Sequence, residues 1–274
     1  MINSPIRWVG GKSRLRQTII DSLPTHHTYV EPFAGGAWVY FGKPASTHEI
    51  INDIDPDLIA FYRTLQTQSV AFIHSFEWEL VSRAEFERLA QLDPAGLTDL
   101  TRAHRFFYLI MAGWGGELNY PRFQTAVNDG GHGNRLIGAL QNLEQRIQPA
   151  AQRLAGTTIL NQDWRLTIDQ YDQPNSLMYI DPPYPGNGAN YARNMRAAEE
   201  HQQLAERLFD THCRWILSSY DTPAIRHTYQ HYDIQSVTFA SGMKPAEQAK
   251  GRINNREVLI RNYNPGAPLQ KRLF

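Results

Sequence analysis

The sequence predicts an α/β fold: an open, largely parallel sheet with helices on both faces and one inserted subdomain. Three observations carry that reading. Seven short runs have strand composition, at 27–32, 48–53, 157–162, 176–181, 214–220, 232–239 and 256–263. Segments with helical spacing of apolar residues fall between several of them. From about Thr67 to Gly156 the alternation stops, and no strand pair of the parallel kind can be read.

The chain opens with "IRWVGGKSRL" at 6–15, a Gly-Gly-Lys turn ahead of a helix predicted over 12–23 from Leu15, Ile19, Ile20 and Leu23. The turn looks like a phosphate-binding one but lacks the G-x-x-x-x-G-K-[ST] spacing. Trp8 beside it could stack on a purine or fill the core. The first strand, "HTYVEP", then runs into "FAGGAWVYF". Paired glycines at a strand-to-helix turn, Gly35 and Gly36, let the backbone bend tightly and let a ligand approach closely. An ordinary βα turn would use them too, and their spacing is not the dinucleotide fingerprint.

The second strand, "HEIIND", ends on Asp53, 17 positions past Gly36. In mononucleotide-binding α/β folds an acid near that position accepts hydrogen bonds from ribose hydroxyls; a turn acid is the other reading. Asp55 and Asp57 read as helix N-terminal acids. They open a helix predicted over 57–66 from Leu58, Ile59, Tyr62 and Leu65. Residues 67–156 follow as the insertion. Helix-like pieces lead there to a stretch at 112–136, dense in glycine, asparagine and aromatics, that reads as looped or hairpin-like.

"TTILNQ" at 157–162 resumes the sheet, and "SLMYID" at 176–181 gives its most apolar run. Pro182 and Pro183 end that run abruptly, because neither has an N–H for a ladder. Asp181-Pro182-Pro183-Tyr184 is therefore an acceptor-rich shelf with a ring beside it, at the carboxyl end of a strand, where open α/β sheets bind ligands. It suits a flat substrate carrying an exocyclic amine. The Asp181 carboxylate and the Pro182 carbonyl can accept both N–H bonds while Tyr184 stacks on the ring. An aromatic amine is a poor nucleophile because its lone pair is delocalised. Two acceptors that draw the hydrogens out of plane favour a pyramidal nitrogen, which is positioning and electrostatics rather than covalent catalysis. A helix over 196–212, with Leu204, Leu208 and Phe209, separates this shelf from the strands "RWILSSY", "YDIQSVTF" and "REVLIRNY".

Composition sets outer bounds. Of 274 residues, 42% are hydrophobic, enough for a real core in one large domain with an insertion. The single cysteine, Cys213, excludes an internal disulfide and a Cys-rich zinc site, and fits a reducing, cytoplasmic compartment. The ten histidines form no metal signature, and His26, His27 and His201 read as surface. There is no signal-peptide core and no apolar run of membrane-spanning length. The net charge of zero excludes a uniformly basic nucleic-acid binder and leaves a locally basic face open. From Met243 to Phe274 seven Lys or Arg stand against two acids, and Arg7, Lys12, Arg14 and Arg16 precede the first acid. Each cluster could face phosphates or be a solvated surface.

In order along the chain, "RWVGGKSRL", "YVEPFAGGAWVYF", "NDIDPDLI" and "DPPY" resemble the Dam-type, alpha-group DNA adenine N6-methyltransferases. The resemblance spans nearly the whole chain and is weakest over 67–156. It implies a Rossmann-like methyltransferase sheet of about seven mostly parallel strands, with one reversed strand at "REVLIRNY". It divides the chain into a catalytic domain at 1–66 and 157–274 that binds S-adenosyl-L-methionine, and a mainly helical and looped target-recognition subdomain at 67–156.

By position, the resemblance implies that Trp8 and Lys12 border the cofactor and that Glu31, Phe33, Gly35 and Gly36 hold its methionine part. Asp53 would take its ribose hydroxyls and Asp163 would approach its adenine. Asp181 and Pro182 would grip the target N6 at the cofactor's methyl, and Tyr184 would stack on the base. Double-stranded DNA is the implied substrate, with a cognate restriction endonuclease as one implied partner and no metal. The recognition stretch "GWGGELNYPRF" lacks an arginine of the family's usual pattern, so Asn119, Arg122 and Arg135, with Lys244 and Arg252 from the tail, are the candidate DNA contacts and no target sequence is assumed.

Methyl transfer to N6 of a flipped-out adenine is the expected activity. Cytosine N4 presents the same amine to the same shelf and is the nearest rival. A dinucleotide-dependent oxidoreductase would leave the DPPY tetrapeptide without a role, and a non-catalytic DNA-binding module would bind DNA and transfer nothing.

Overall fold

A computed structural model describes residues 1–113, 122–124, 135–184, 198–240 and 254–264. Seven strands form on the seven apolar runs: β1 Thr28–Glu31, β2 His48–Asn52, β3 Thr158–Leu160, β4 Ser176–Ile180, β5 Arg214–Tyr220, β6 Asp233–Ala240 and β7 Asn254–Arg261. They make one sheet in the order β3-β2-β1-β4-β5-β7-β6. The five strands from β3 to β5 are parallel to their neighbours. β7 runs antiparallel to both β5 and β6, so it is the reversed strand.

The helices are α1 Arg16–Asp21, α2 Trp38–Gly42, α3 Pro56–His74, α4 Arg83–Gln91, α5 Asp99–Ala112, α6 Arg135–Gln141, α7 Leu143–Leu154, α8 Trp164–Tyr171, α9 Ala198–Phe209 and α10 Pro223–Thr228. Side chains alternate across the sheet, and the two faces feed two apolar clusters. Tyr29, Ile51, Leu177, Tyr179, Ile216 and Leu259 lie with the buried residues of α1 to α7. Val30, Ile50, Met178, Ile180, Trp215, Leu217 and Val258 lie with those of α8 and α9. Burying each such large apolar side chain contributes roughly 1.5–3 kcal/mol.

Local chemistry starts the helices. Asp55 accepts the Asp57 and Leu58 N–H groups at 2.9 and 3.3 Å, and Pro56 follows at a position that needs no donor. Asp57 is then held by Arg102 and Arg105 of α5. α3 continues beyond the helix predicted to stop at residue 66. It breaks its regular geometry at Gln68 (φ −142°, ψ 33°) and resumes as far as His74. The polar run after Leu65 hid this continuation, and Phe72 sustains it by packing with Phe61, Phe76 and Phe107 at centroid distances of 5.3–5.6 Å. α1 is shorter than expected, and α9 ends at Phe209 rather than at residue 212. At the start of α1, residues 12–15 form a turn in which Leu15 and Arg16 donate to the Lys12 carbonyl.

Near the end of the 67–156 stretch, α7 is tied back to the sheet. Arg153 forks onto Glu49 of β2, where Lys43 also donates to Glu49 at 2.5 Å. Burial opposes ionisation of Glu49, yet the hydrogen bonds from Arg153 and Lys43 keep its carboxyl below the usual range. No helix among the described residues is long and apolar enough to cross a membrane.

Candidate active site

The carboxyl ends of four neighbouring parallel strands each deliver an acid. In sheet order these are Asp163 after β3, Asp53 after β2, Glu31 ending β1 and Asp181 after β4. Asn52 braces this edge. Its side-chain amide donates to the Pro32 and Gln162 carbonyls at 2.9 and 3.0 Å, and its side-chain oxygen accepts the Gln162 N–H at 3.0 Å.

Glu31 is buried. Its Oε1 accepts the Tyr29 hydroxyl and the Tyr40 N–H, both at 2.8 Å. Burial pushes its carboxyl up to about 8 despite those two bonds. Asp53 is half-buried and accepts the Gly35 N–H at 2.9 Å and the Asp55 N–H at 3.0 Å. Desolvation carries it to about 6. Asp53 thus buttresses the glycine turn itself, and both of its oxygens already accept a backbone N–H.

At that turn Gly35 is left-handed (φ +46°), and its carbonyl accepts the Tyr62 hydroxyl at 2.7 Å. Trp8 lies directly over the turn. A Cβ built on Gly35 would stand 2.6 Å from the indole Nε1, and one on Gly36 would stand 2.9 Å from the Trp8 Cβ. The ring also meets Phe106 at 6.3 Å, so Trp8 is both a core contact and the cover of the turn. Phe33 packs on Trp164 at 5.9 Å. Asp163 caps α8 through the Arg165 N–H at 2.8 Å and pairs with the Arg165 guanidinium at 2.9 Å.

The shelf at the tip of β4 is built across three strands. Asp181 follows Ile180, which pairs in register with Leu217, so Ser218 comes beside it. The Ser218 hydroxyl donates to Asp181 Oδ1 at 2.8 Å, and the Tyr179 hydroxyl stands 3.1 Å from Ser218 Oγ. The buried Lys12 ammonium also lies 2.8 Å from Asp181 Oδ1, while donating to the Gly10 carbonyl at 2.9 Å. Asp181 therefore already accepts an N–H donor at the tip of β4. Pro182 is buried beside it. Tyr184 is buried as well, with its hydroxyl donating to Glu257 Oε2 at 2.9 Å and its ring 4.6 Å from that of Tyr220.

Trp8, Lys12, Glu31, Phe33, Gly35, Gly36, Asp53, Asp181, Pro182 and Tyr184 thus lie on the turns and strand ends of one sheet edge, with Asp163 at its β3 end. Sequence reasoning missed Asn52, Ser218, Tyr220 and Glu257. The signals were a polar pair inside the apolar run "WILSSY" and an acid inside "EVLI". Arg122 is exposed and leads into Phe123, which bridges Gly113 in antiparallel fashion. Arg135 begins α6. Asn119, Lys244 and Arg252 lie outside the described residues. Among the described basic residues of these clusters, Lys12 is committed to Asp181, Arg16 donates to Asn3 at 2.7 Å, and the buried Arg261 pairs with Asp233 at 2.7 Å. His26 and His201 are half-buried rather than surface residues, since each packs against the fold, and burial lowers the imidazole of both.

Residues 8–243 match the family model described as D12 class N6 adenine-specific DNA methyltransferase. The chain is 25% identical to the type II methyltransferase M.CviBI of Paramecium bursaria Chlorella virus NC1A, over 94% of this chain and 98% of that one. It is 27% identical to the retron Ec67 DNA adenine methylase of Escherichia coli, covering 83% and 80% of the two chains. With the DNA adenine methylase of Escherichia coli strain K12 it shares 24% identity over 95% of each.

Proposed function

The chain belongs to the D12 class N6 adenine-specific DNA methyltransferases, and we propose that its methyl donor is S-adenosyl-L-methionine and that the target adenine is flipped out of double-stranded DNA onto the Asp181 shelf. The observation that carries the reading is Asp181 at the tip of β4, already accepting an ammonium and a hydroxyl at 2.8 Å next to Pro182 and the Tyr184 ring. A base paired and stacked within a duplex cannot present its amine to that shelf, and extruding it costs a few kcal/mol.

The donor supplies a methyl group on a positively charged sulfonium. The row of carboxylates along the sheet edge suits a cation, an ammonium and ribose hydroxyls, and the glycine turn permits close approach. In this reading Glu31, Phe33 and the Gly35–Gly36 turn take the donor's amino-acid part. Asp53 takes its ribose, Asp163 its adenine, and Trp8 and Lys12 border it. Asp181 and Pro182 accept the two N6 hydrogens and leave the nitrogen lone pair facing the methyl carbon. The C–N bond would form as the donor's C–S bond breaks, the sulfur leaving as a neutral thioether, and the cationic nitrogen would pass one proton through the Asp181 carboxylate to water. Tyr184 stacks on the base. Residues 67–156 read the sequence as a recognition subdomain inserted into the catalytic domain, with Asn119, Arg122 and Arg135 among the contacts, and Lys244 and Arg252 meet phosphates. The type II name of the viral relative supports a restriction–modification role; a cytoplasmic location and a cognate endonuclease partner complete the same reading.

Purified protein given labelled donor and duplex DNA is expected to yield N6-methyladenine on nucleoside analysis. N4-methylcytosine, or no modified base, would overturn the reading. Replacing residues 112–136 by the corresponding stretch of a relative is expected to change the methylated sequence; an unchanged site would locate recognition elsewhere.

Glu31 gives a further check. Its carboxyl titrates near 8 without ligand, so it is mostly protonated at pH 7. An ammonium beside it favours the ionised form, so donor binding at pH 7 is expected to release a proton and to strengthen as pH rises toward 8. Calorimetric titration in two buffers of different ionisation enthalpy measures that proton. The Glu31→Gln protein should not release it. Equal release from both proteins would remove Glu31 from the donor site.

A further inference from the structure

We propose that Glu257 is a positioning residue for methyl transfer, acting through the Tyr184 hydroxyl to fix the ring on which the target base stacks. The inference rests on the reading of Tyr184 as the base-stacking ring. It extends the site to the reversed strand.

β7 is a buried strand whose Val258, Leu259 and Ile260 are all inaccessible, yet it carries a buried acid beside them. A carboxylate in such a place costs several kcal/mol unless its oxygens are used. Here Oε2 accepts the Tyr184 hydroxyl at 2.9 Å. Burial raises the Glu257 carboxyl, and the Lys12 ammonium partly offsets that rise. The β5–β7 register sets Glu257 opposite Tyr220. One antiparallel pair thus supplies two restraints on the ring, the acid at its hydroxyl and the Tyr220 ring against it at an interplanar angle of 73°, and the Ser218 side chain also hydrogen-bonds the hydroxyl. The Lys12 ammonium stands 4.8 Å from the Tyr184 centroid and 2.8 Å from Asp181, so ring and shelf share a cation.

Without Glu257 the hydroxyl would lose its carboxylate acceptor and keep only the Ser218 hydroxyl, and the ring would be held less firmly about its side-chain bonds. A base stacked on it would then meet Asp181 at varying angles. Transfer needs the amine in line with the methyl carbon, so the loss should fall on the rate of the bound complex more than on donor affinity.

The test is a double-mutant cycle of Tyr184→Phe and Glu257→Ala, with Glu257→Gln alongside, on protein whose wild type has first been shown to methylate adenine. The readouts are kcat, KM for DNA, donor affinity, and the fluorescence of 2-aminopurine at the target position. Tyr184→Phe and Glu257→Ala are each expected to lose about tenfold in kcat, the loss of one hydrogen bond worth about 1.4 kcal/mol. The double variant should lose no more than either single one, and donor affinity should hold. Glu257→Gln keeps a carbonyl acceptor and should stay within about twofold of wild type. If Glu257→Ala does not fold, Tyr184→Phe and Glu257→Gln still decide. Losses that multiply in the double variant, a Gln variant as slow as Ala, or a wild-type rate in Tyr184→Phe would each overturn the role of Glu257. A wild type that transfers no methyl group would instead overturn the proposed function.

Discussion

Asp181→Ala is expected to lower methyl transfer by about a hundredfold or more, the scale on which removal of a preorganised transition-state partner acts, while donor binding stays within a few fold of wild type. The physical reason is that Asp181 gathers the polar groups of the shelf. Ser218 and Lys12 both address its Oδ1 at 2.8 Å. Truncation removes the acceptor for the amine and also takes from the buried Lys12 ammonium the carboxylate it directly contacts, leaving it only the field of Glu257. Lys12 is buried while the Asp181 side chain keeps 20% exposure, so the cost should fall below the roughly 3–5 kcal/mol of a fully buried pair, and a fall in thermal stability should accompany the loss of rate. Asp181→Asn separates the two effects. It keeps shape and a carbonyl but lacks the charge, so it should melt closer to wild type and still transfer slowly. Single-turnover rates with donor and duplex, set beside donor titration, make the measurement. Parallel loss of rate and donor affinity would mean that Asp181 holds the donor or the fold rather than the target amine.

The second large effect is expected at Gly35. Its φ of +46° is a conformation that L side chains adopt at a cost of roughly 1–2 kcal/mol. A Cβ there would also press into the Trp8 indole, 2.6 Å from Nε1 and 2.8 Å from Cδ1. Either the ring leaves the turn or the turn opens, and both disturb the Gly35 N–H bond to Asp53. Gly35→Ala should therefore destabilise the protein by about 2 kcal/mol or more and weaken donor binding on the order of tenfold or more, since about 1.4 kcal/mol corresponds to tenfold. Gly138→Ala is the matched control. It lies inside α6, where an added Cβ meets nothing within 4 Å, so it should be neutral or stabilising by up to about 1 kcal/mol. Thermal unfolding and donor titration on the pair make the comparison. If both variants behave alike, the left-handed turn under Trp8 has no special part in the site.

Much of this was legible in the chain. Most of the seven strands announce themselves through β-branched runs, the first five of them cut off by Gly, Pro or polar residues, and the acid–proline–aromatic tip of β4 is contiguous. The glycine turn and the Asp55 cap are equally local, since φ preference and side-chain reach act over a few residues. The reversal of β7 came through family likeness, because an alternating pattern does not encode strand direction. The length of α3 was misjudged because Phe72 holds its second half through contacts with Phe107, 35 positions away.

The residues that turn a strand tip into a site were the hard part. Ser218 reaches Asp181 only because β5 lies beside β4 in the register Ile180↔Leu217. Glu257 reaches Tyr184, 73 positions earlier, only because β7 returns antiparallel on β5. The chain alone names the acid, the prolines and the ring, since their chemistry is carried by neighbours in sequence. Which side chains orient them follows from strand order and register. Those are settled by the simultaneous burial of both sheet faces, and no short window of sequence contains that.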